Sequence, residues 1–393
     1  IEKGPIKRSG QADVVSLDDD WRFIRYGLQA DGTHADEPAG MFEPATDDSD
    51  WETLDVPHDF AIKGPFRMDL AGNTGRLPFQ GIGWYRKTFT VDEADQGKRF
   101  YVDFDGVMAN AQVWLNGEYV GTWPYGYNSF RLDLTPFIQV GKENLLAVRT
   151  DTEKWDSRWY PGAGIYRHVW LVKAGQVHVR HWGTKMEATN LTDKTADLHL
   201  TVEVENHLNE DAKAVVKTSV YELDSLDCLG KRVLCFDDQT LPLKAMSAGK
   251  IDLQKRMDDC KRWDIESPNR YMACVTVQVD GQETDRYYTP FGVREISVSR
   301  EGFFLNGRRV EIKGVCNHHD LGALGAAFNR SALERQFRIM REMGCNSIRT
   351  SHNPPAPELL DLADKTGMLI MDEAFDAWAH GKREWDYNKL YEE

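Results

Sequence analysis

The chain has 393 residues, of which 41% are hydrophobic and 28% charged, and its formal net charge is −15. This length exceeds one ordinary domain and suggests two to four. Acidity spread along the chain excludes the basic footprint that nucleic-acid binding needs, and no apolar run approaches the roughly 18 residues of a membrane span.

The first 176 residues are rich in short alternating segments. "RFYVDFDG" places Phe100, Val102 and Phe104 on one strand face, and "AQVWLNGEYVG" reads as a hairpin turning at Asn116-Gly117. That dipeptide tolerates positive φ at both central positions. "NLLAVRTD" and "IYRHVWLVK" continue the pattern, with turn signals every 8–12 residues, as in a β-sandwich jelly roll. Residues 177–292 carry further strands, "ADLHLTVEVEN", "KAVVKTSVYEL" and "RYMACVTVQVDG", and read as an immunoglobulin-like β-sandwich. Its turns show no convergent polar cluster, so it reads as a spacer.

From residue 293 the pattern changes. A hairpin, "GFFLNGRRV", leads into the strand "EIKGVCN". Ser331 and Glu334 form a capping-box signature ahead of a helix whose Leu333, Phe337 and Met340 share one face. "CNSIRTS" is the next strand, Pro357 opens a second helix with Gly367 beyond its end, and "MLIMDEA" is a third strand. Strand, helix, strand, helix, strand begins a parallel α/β array. A (β/α)₈ TIM barrel needs eight strands, so residues 293–393 are read as the incomplete first part of one.

The polar residues cluster where such strands end: "NHHD", "RTSHN" and "DEAFD". In parallel β/α folds these carboxyl ends build the active site. If the strand persists, His318 and His319 point to opposite faces, while His318 and Asp320 share one that His352 can approach. Three readings stay open. A metal-dependent hydrolase would use His318, Asp320 and His352. A sugar site would use the imidazoles with Asn317, Asn353 and Arg349 as donors to hydroxyls. The bland reading has these histidines only satisfying buried backbone groups. The abundance of aromatics, with 12 Trp, 14 Tyr and 17 Phe, suits sugar platforms and β-sandwich cores equally.

"NGRRVEIKGVCNHHDLGALGAAF", "MREMGCNSIRTSHNPP" and "LADKTGMLIMDEAFDAW" closely resemble the start of the catalytic barrel of glycoside hydrolase family 2, β-galactosidase branch. "VPHDF", "GIGWYRKTF", "WLNGEYVG" and "SRWYPGAGIYRHVW" resemble that family's sugar-binding domain, and "FGVREI" its join between the second domain and the barrel. The resemblance spans nearly the whole chain in the family's domain order. It implies retaining hydrolysis of terminal β-galactosides by the full-length protein, with β-glucuronidase or another β-glycosidase as the alternative within the family. A non-catalytic carbohydrate-binding protein is the alternative outside it.

Carried over residue by residue, the resemblance makes His318 and His352 sugar ligands and places Arg349 beneath the same site. Asp372 and Glu373 match the family's strand-three "DE". Read from the residues alone, Glu373 and Asp376 suit a carboxylate pair or supporting roles equally, and Trp378 an aromatic wall or a core position equally. The substrate-binding set is therefore Asn317, His318, Asp320, Arg349, His352, Asn353, Glu373, Asp376 and Trp378. The family's acid/base and nucleophile glutamates match nothing here; the only Asn-Glu pair, Asn209-Glu210, lies in the second domain. Both are expected beyond Glu393, which would leave this chain inactive by itself. Ala377 and Arg158 fall where some relatives have metal ligands, so no metal and no cofactor is assigned. The expected partner is a carbohydrate substrate, with no nucleic acid and no membrane span; a homo-oligomer is compatible with the sequence. The first residue is not Met and no signal peptide precedes it, so the chain reads as a mature or trimmed form. A periplasmic or secreted setting is favoured over a cytoplasmic one.

Overall fold

A computed structural model describes residues 4–70, 75–153, 157 and 159–377. It has a jelly-roll sandwich, an immunoglobulin-like sandwich and the opening of a parallel β/α barrel, in that order along the chain. No described helix is long and apolar enough to cross a membrane.

The first sandwich packs a four-stranded sheet against a seven-stranded one. The smaller sheet runs Phe130–Asp133, Arg99–Phe104, Val169–Ala174, Val14–Ser16; the long strands Trp21–Leu28, Ile82–Thr90 and Glu143–Asp151 lie side by side in the larger. Between them lie Trp21, Phe23, Phe100, Val102, Phe104, Leu146 and Val148. The Asn116-Gly117 hairpin forms as expected, with φ of 54° and 85° at its two central residues. The Arg99–Phe104 strand is covered on both faces, because its outward residues Tyr101 and Asp103 are also buried. They lie beneath the junction with the second domain: the Tyr101 hydroxyl is 3.2 Å from His178 Nε2, and Asp103 accepts from Arg8 and Arg131.

The second sandwich shows the plainest alternation. Along Ala196–Asn206 every second residue, from Ala196 through Leu198, Leu200, Val202 and Val204 to Asn206, is buried. That is the period-2 signature of a sheet with one wet face. Its six-stranded sheet includes Gly10–Gln11, paired with Gln282–Phe291 at Gly10↔Tyr288. The earliest residues, which chain order alone puts in the first domain, thus add a strand to the second. Arg8 fixes this crossing by pairing with Asp103 and Asp105 of the first domain at 2.8 and 2.9 Å.

The third region holds parallel strands Gly314–Asn317, Ser347–Thr350 and Leu369–Met371, in register Asn317↔Thr350 and Arg349↔Met371. Two helices alternate with them, α1 (Arg330–Glu342) and α2 (Pro357–Thr366). Leu333, Phe337 and Met340 of α1 bury against Ile348, Leu362 and Met368. The expected Ser331 cap is corrected: the N-cap is Asn329, whose side chain accepts from the Ala332 N–H, and Ser331 lies inside the first turn. Asn329 has extended dihedrals, φ −141° and ψ 115°, as an N-cap must. Pro357 at the start of α2 and left-handed Gly367 after it (φ 76°) fall where expected.

Candidate functional site

The three parallel strands end together, so the residues just beyond Asn317, Thr350 and Met371 share one rim. There the rings of His318 and His352 meet edge to face, with centroids 5.3 Å apart. Trp159, a buried residue of the first domain, closes the group at 5.1 Å from each. The triangle of two imidazoles and one indole joins residues nearly two hundred positions apart.

His352 is held from behind. Its Nδ1 lies 3.1 Å from Glu373 Oε2, while Glu373 Oε1 accepts from Arg349 Nε at 2.7 Å and Nη2 at 2.6 Å. Arg349 Nη2 also lies 3.3 Å from Nδ1, but the Glu373 carboxylate is nearer and, as an acceptor, favours the Nδ1–H tautomer with Nε2 as the ring's acceptor. Arg349 also reaches Ser351 Oγ at 3.3 Å and Cys316 Sγ at 3.5 Å; Cys316 and Glu373 hold its guanidinium above its ordinary pKa. The Ser351–His352 peptide bond is cis. Asp372 lies 3.3 Å from the Thr350 hydroxyl, and partial burial raises its pKa.

His319 does turn away from His318, though the strand has already ended at Asn317. Its ring packs between Tyr127 and Tyr166, and Nε2 donates to the Pro161 carbonyl at 2.8 Å. Burial lowers its pKa to about 3, so it is neutral and ties the first domain to the barrel.

The other expected residues divide. Asn353 is buried, with its side-chain oxygen accepting from the Tyr125 hydroxyl, which also lies 3.3 Å from the Ala374 carbonyl. Asn317 aims its amide at Met340 Sδ, 3.5 Å away in α1, so it turns towards the helix layer. Asp320 lies on the Tyr160 side, where burial first, then Asp59 and lastly the Asp320 charge raise the tyrosine pKa. Asp376 is half-buried beside Phe375, which packs on Tyr125. Trp378 and Arg158 lie outside the described residues. The ligand atoms of His318, Asp320 and His352 do not converge to metal-binding distance; among the described residues only a trio in the second domain does so.

Four first-domain residues that shape this rim were not singled out in the sequence: Asp59, Tyr125, Trp159 and Arg167. Asp59 is fully buried and accepts from the Ala61, Ala163 and Ala326 N–H groups at 2.9–3.1 Å and from the Tyr160 hydroxyl at 2.6 Å. It thereby pins the loop after the first barrel strand to the first domain. Arg167, also buried, donates to the carbonyls of Tyr127 and Pro354 at 2.8 and 3.0 Å, fixing the loop after the second strand. All but Tyr125 lie within the quoted stretches "VPHDF" and "SRWYPGAGIYRHVW", the available signal, but no local spacing links those stretches to the barrel.

Three family models match the chain in succession. They describe the sugar binding domain of glycosyl hydrolases family 2 over residues 14–175, a further domain of glycosyl hydrolases family 2 over 177–294, and the TIM barrel domain of that family over 296–389. The chain is 44% identical over 382 residues to beta-galactosidase BoGH2A of Bacteroides ovatus, covering 95% of this chain and 42% of that protein. It is 36% identical to a putative beta-glucuronidase of Formosa agariphila, covering 87% of this chain and 32% of that protein. A family 2 glycosyl hydrolase from Bacteroides cellulosilyticus superposes with a TM-score of 0.89 at 33% identity, over 97% of this chain and 48% of the other. The chain spans a third to a half of the length of these relatives.

Proposed function

This chain belongs to glycosyl hydrolase family 2, and on that premise we propose that it forms the sugar-holding front of a retaining exo-β-galactosidase. The observation that carries the reading is the triangle of His318, His352 and Trp159 at the strand ends. An indole face suits the apolar face of a pyranose, and two imidazoles supply hydrogen bonds to its hydroxyls. Such bonds strengthen as the oxocarbenium-like transition state forms. Glu373 and Arg349 are positioning residues: Glu373 holds the His352 ring, Arg349 holds Glu373, and neither reacts.

Retaining hydrolysis needs two carboxylates about 5–5.5 Å apart across the glycosidic bond. Glu373 spends both oxygens on Arg349 and His352, which supports an acid/base and a nucleophile supplied from outside these residues. The 393-residue chain alone is then expected to be inactive.

Galactoside is favoured over glucuronide because the C6 carboxylate of a glucuronide calls for an unspent cation. Among the described residues at the rim, Arg349 is already neutralised by Glu373. The 44% identity to a named beta-galactosidase agrees with this, while the beta-glucuronidase among the relatives keeps the second reading in play. The test is hydrolysis of p-nitrophenyl β-D-galactopyranoside and β-D-glucuronide by the longer protein and by this chain alone. Expected is galactoside turnover by the longer protein and none by the chain. Preferential glucuronide cleavage, or turnover by the chain alone, would overturn the reading.

A further inference from the structure

The second domain, which the sequence presents as a plain spacer, contains a cluster that the sugar site does not use. His178 and Glu205 are direct partners across the antiparallel pair Val177–Thr189 and Ala196–Asn206, so both project on one face. His207 follows Glu205 by two residues and returns to that face. Glu205 Oε2 lies 3.2 Å from His207 Nε2 and 3.7 Å from His178 Nε2, and all three ligand atoms fall within 4.8 Å of one another. The imidazoles are parallel, 5.1 Å between centroids with planes 5° apart.

We propose that His178, Glu205 and His207 bind a late first-row divalent cation of the Zn²⁺ class at the junction of the two sandwiches. Ligand atoms at 2.0–2.2 Å from a tetrahedral zinc lie about 3.3–3.6 Å from one another. The two carboxylate–imidazole separations bracket that range. The two imidazole nitrogens lie within 4.8 Å of each other, and His207, about a quarter exposed, has room to adjust. Two imidazoles and one carboxylate suit Zn²⁺ better than Mg²⁺ or Ca²⁺, which prefer all-oxygen shells.

The surroundings fit a ligand role. His178 is fully buried, and its Nδ1–H donates to the Gly175 carbonyl at 2.9 Å, the arrangement that presents Nε2 to a metal. Arg180 approaches the other carboxylate oxygen, Glu205 Oε1, at 3.4 Å and leaves Oε2 to the ion. Metal entry requires the Tyr101 hydroxyl, 3.2 Å from His178 Nε2, to turn its proton away. Because Tyr101 belongs to the first domain and Gly175 to the connection, a bound ion would stiffen the join between the domains.

The experiment uses the untagged 393-residue chain, dialysed against Zn²⁺ and then against metal-free buffer, with metal counted by mass spectrometry and melting followed with and without Zn²⁺. Expected is about one zinc per chain and a raised melting temperature, both lost in His207→Ala and Glu205→Gln. His207→Ala trims an accessible side chain and leaves the sandwich core intact. Absence of retained zinc in the wild type, or equal retention in both variants, would overturn the proposal.

Discussion

On the strand-end rim, Glu373 has both carboxylate oxygens engaged. Its two oxygens are divided between Arg349 and His352, so Glu373→Gln leaves one acceptor oxygen; with that oxygen on Arg349, the NH2 group faces His352 Nδ1 as a donor. Expected is a loss of galactoside affinity on the order of tenfold, the scale of one charge-assisted hydrogen bond, with the fold retained. Long-range ¹⁵N spectra of His352 should show the Nδ1–H form giving way; an unchanged tautomer and affinity would contradict the positioning role. His319 makes a second case. Its folded-state pKa of about 3 lies below the ordinary 6.5, so below pH 6.5 the unfolded chain takes up a proton that the folded one refuses. Its contribution is therefore complete above pH 6.5 and lost as pH falls towards 3. His319→Gln keeps a donor for Pro161 and removes the titration. The stability gap between wild type and variant should narrow on acidification, by at most about 1.4 kcal/mol per pH unit, in urea titrations at stepped pH. A gap that does not vary with pH would contradict this.

The elements were legible to the degree that their signal was local. Alternation gave the strands of both sandwiches, the Asn116-Gly117 hairpin forms with its two positive φ values, and Pro357 and Gly367 bound α2. The start of α1 was misread because Ser331 and Glu334 satisfy the capping-box spacing, whereas Asn329, an equally good cap, stands two residues earlier. The difference is measurable. Asn329→Ala should destabilise the barrel portion by about 1 kcal/mol, while Ser331→Ala should be close to neutral. Chemical denaturation of the two variants distinguishes them, and the reverse order would refute the cap assignment.

At the scale of the whole molecule, the site belongs to two domains. His318, Arg349, His352 and Glu373 could be read from the sequence because each follows or ends a barrel strand. Trp159, Asp59 and Arg167 could not be connected to them, since the contacts that use them cross domains; the Tyr125–Asn353 bond alone spans 228 positions. For the same reason the His178–Glu205–His207 cluster was invisible: it depends on which residues of two strands stand opposite, a matter of register. Aromatic abundance had suited platforms and cores equally. Trp21, Phe23, Phe100 and Phe104 serve the first core, while Trp159 lines the rim. The sugar-binding domain of the family thus contributes a wall of the candidate site as well as the loops' anchorage. The most direct measurement is a titration of the 393-residue chain with methyl β-D-galactoside, followed by saturation-transfer NMR, for wild type, Trp159→Ala and His352→Ala. Expected is weak, saturable binding by the wild type, lost in both variants while their far-ultraviolet circular dichroism remains wild-type. Absence of saturable binding by the wild type, or equal binding by folded variants, would contradict a sugar site shared between the first domain and the barrel.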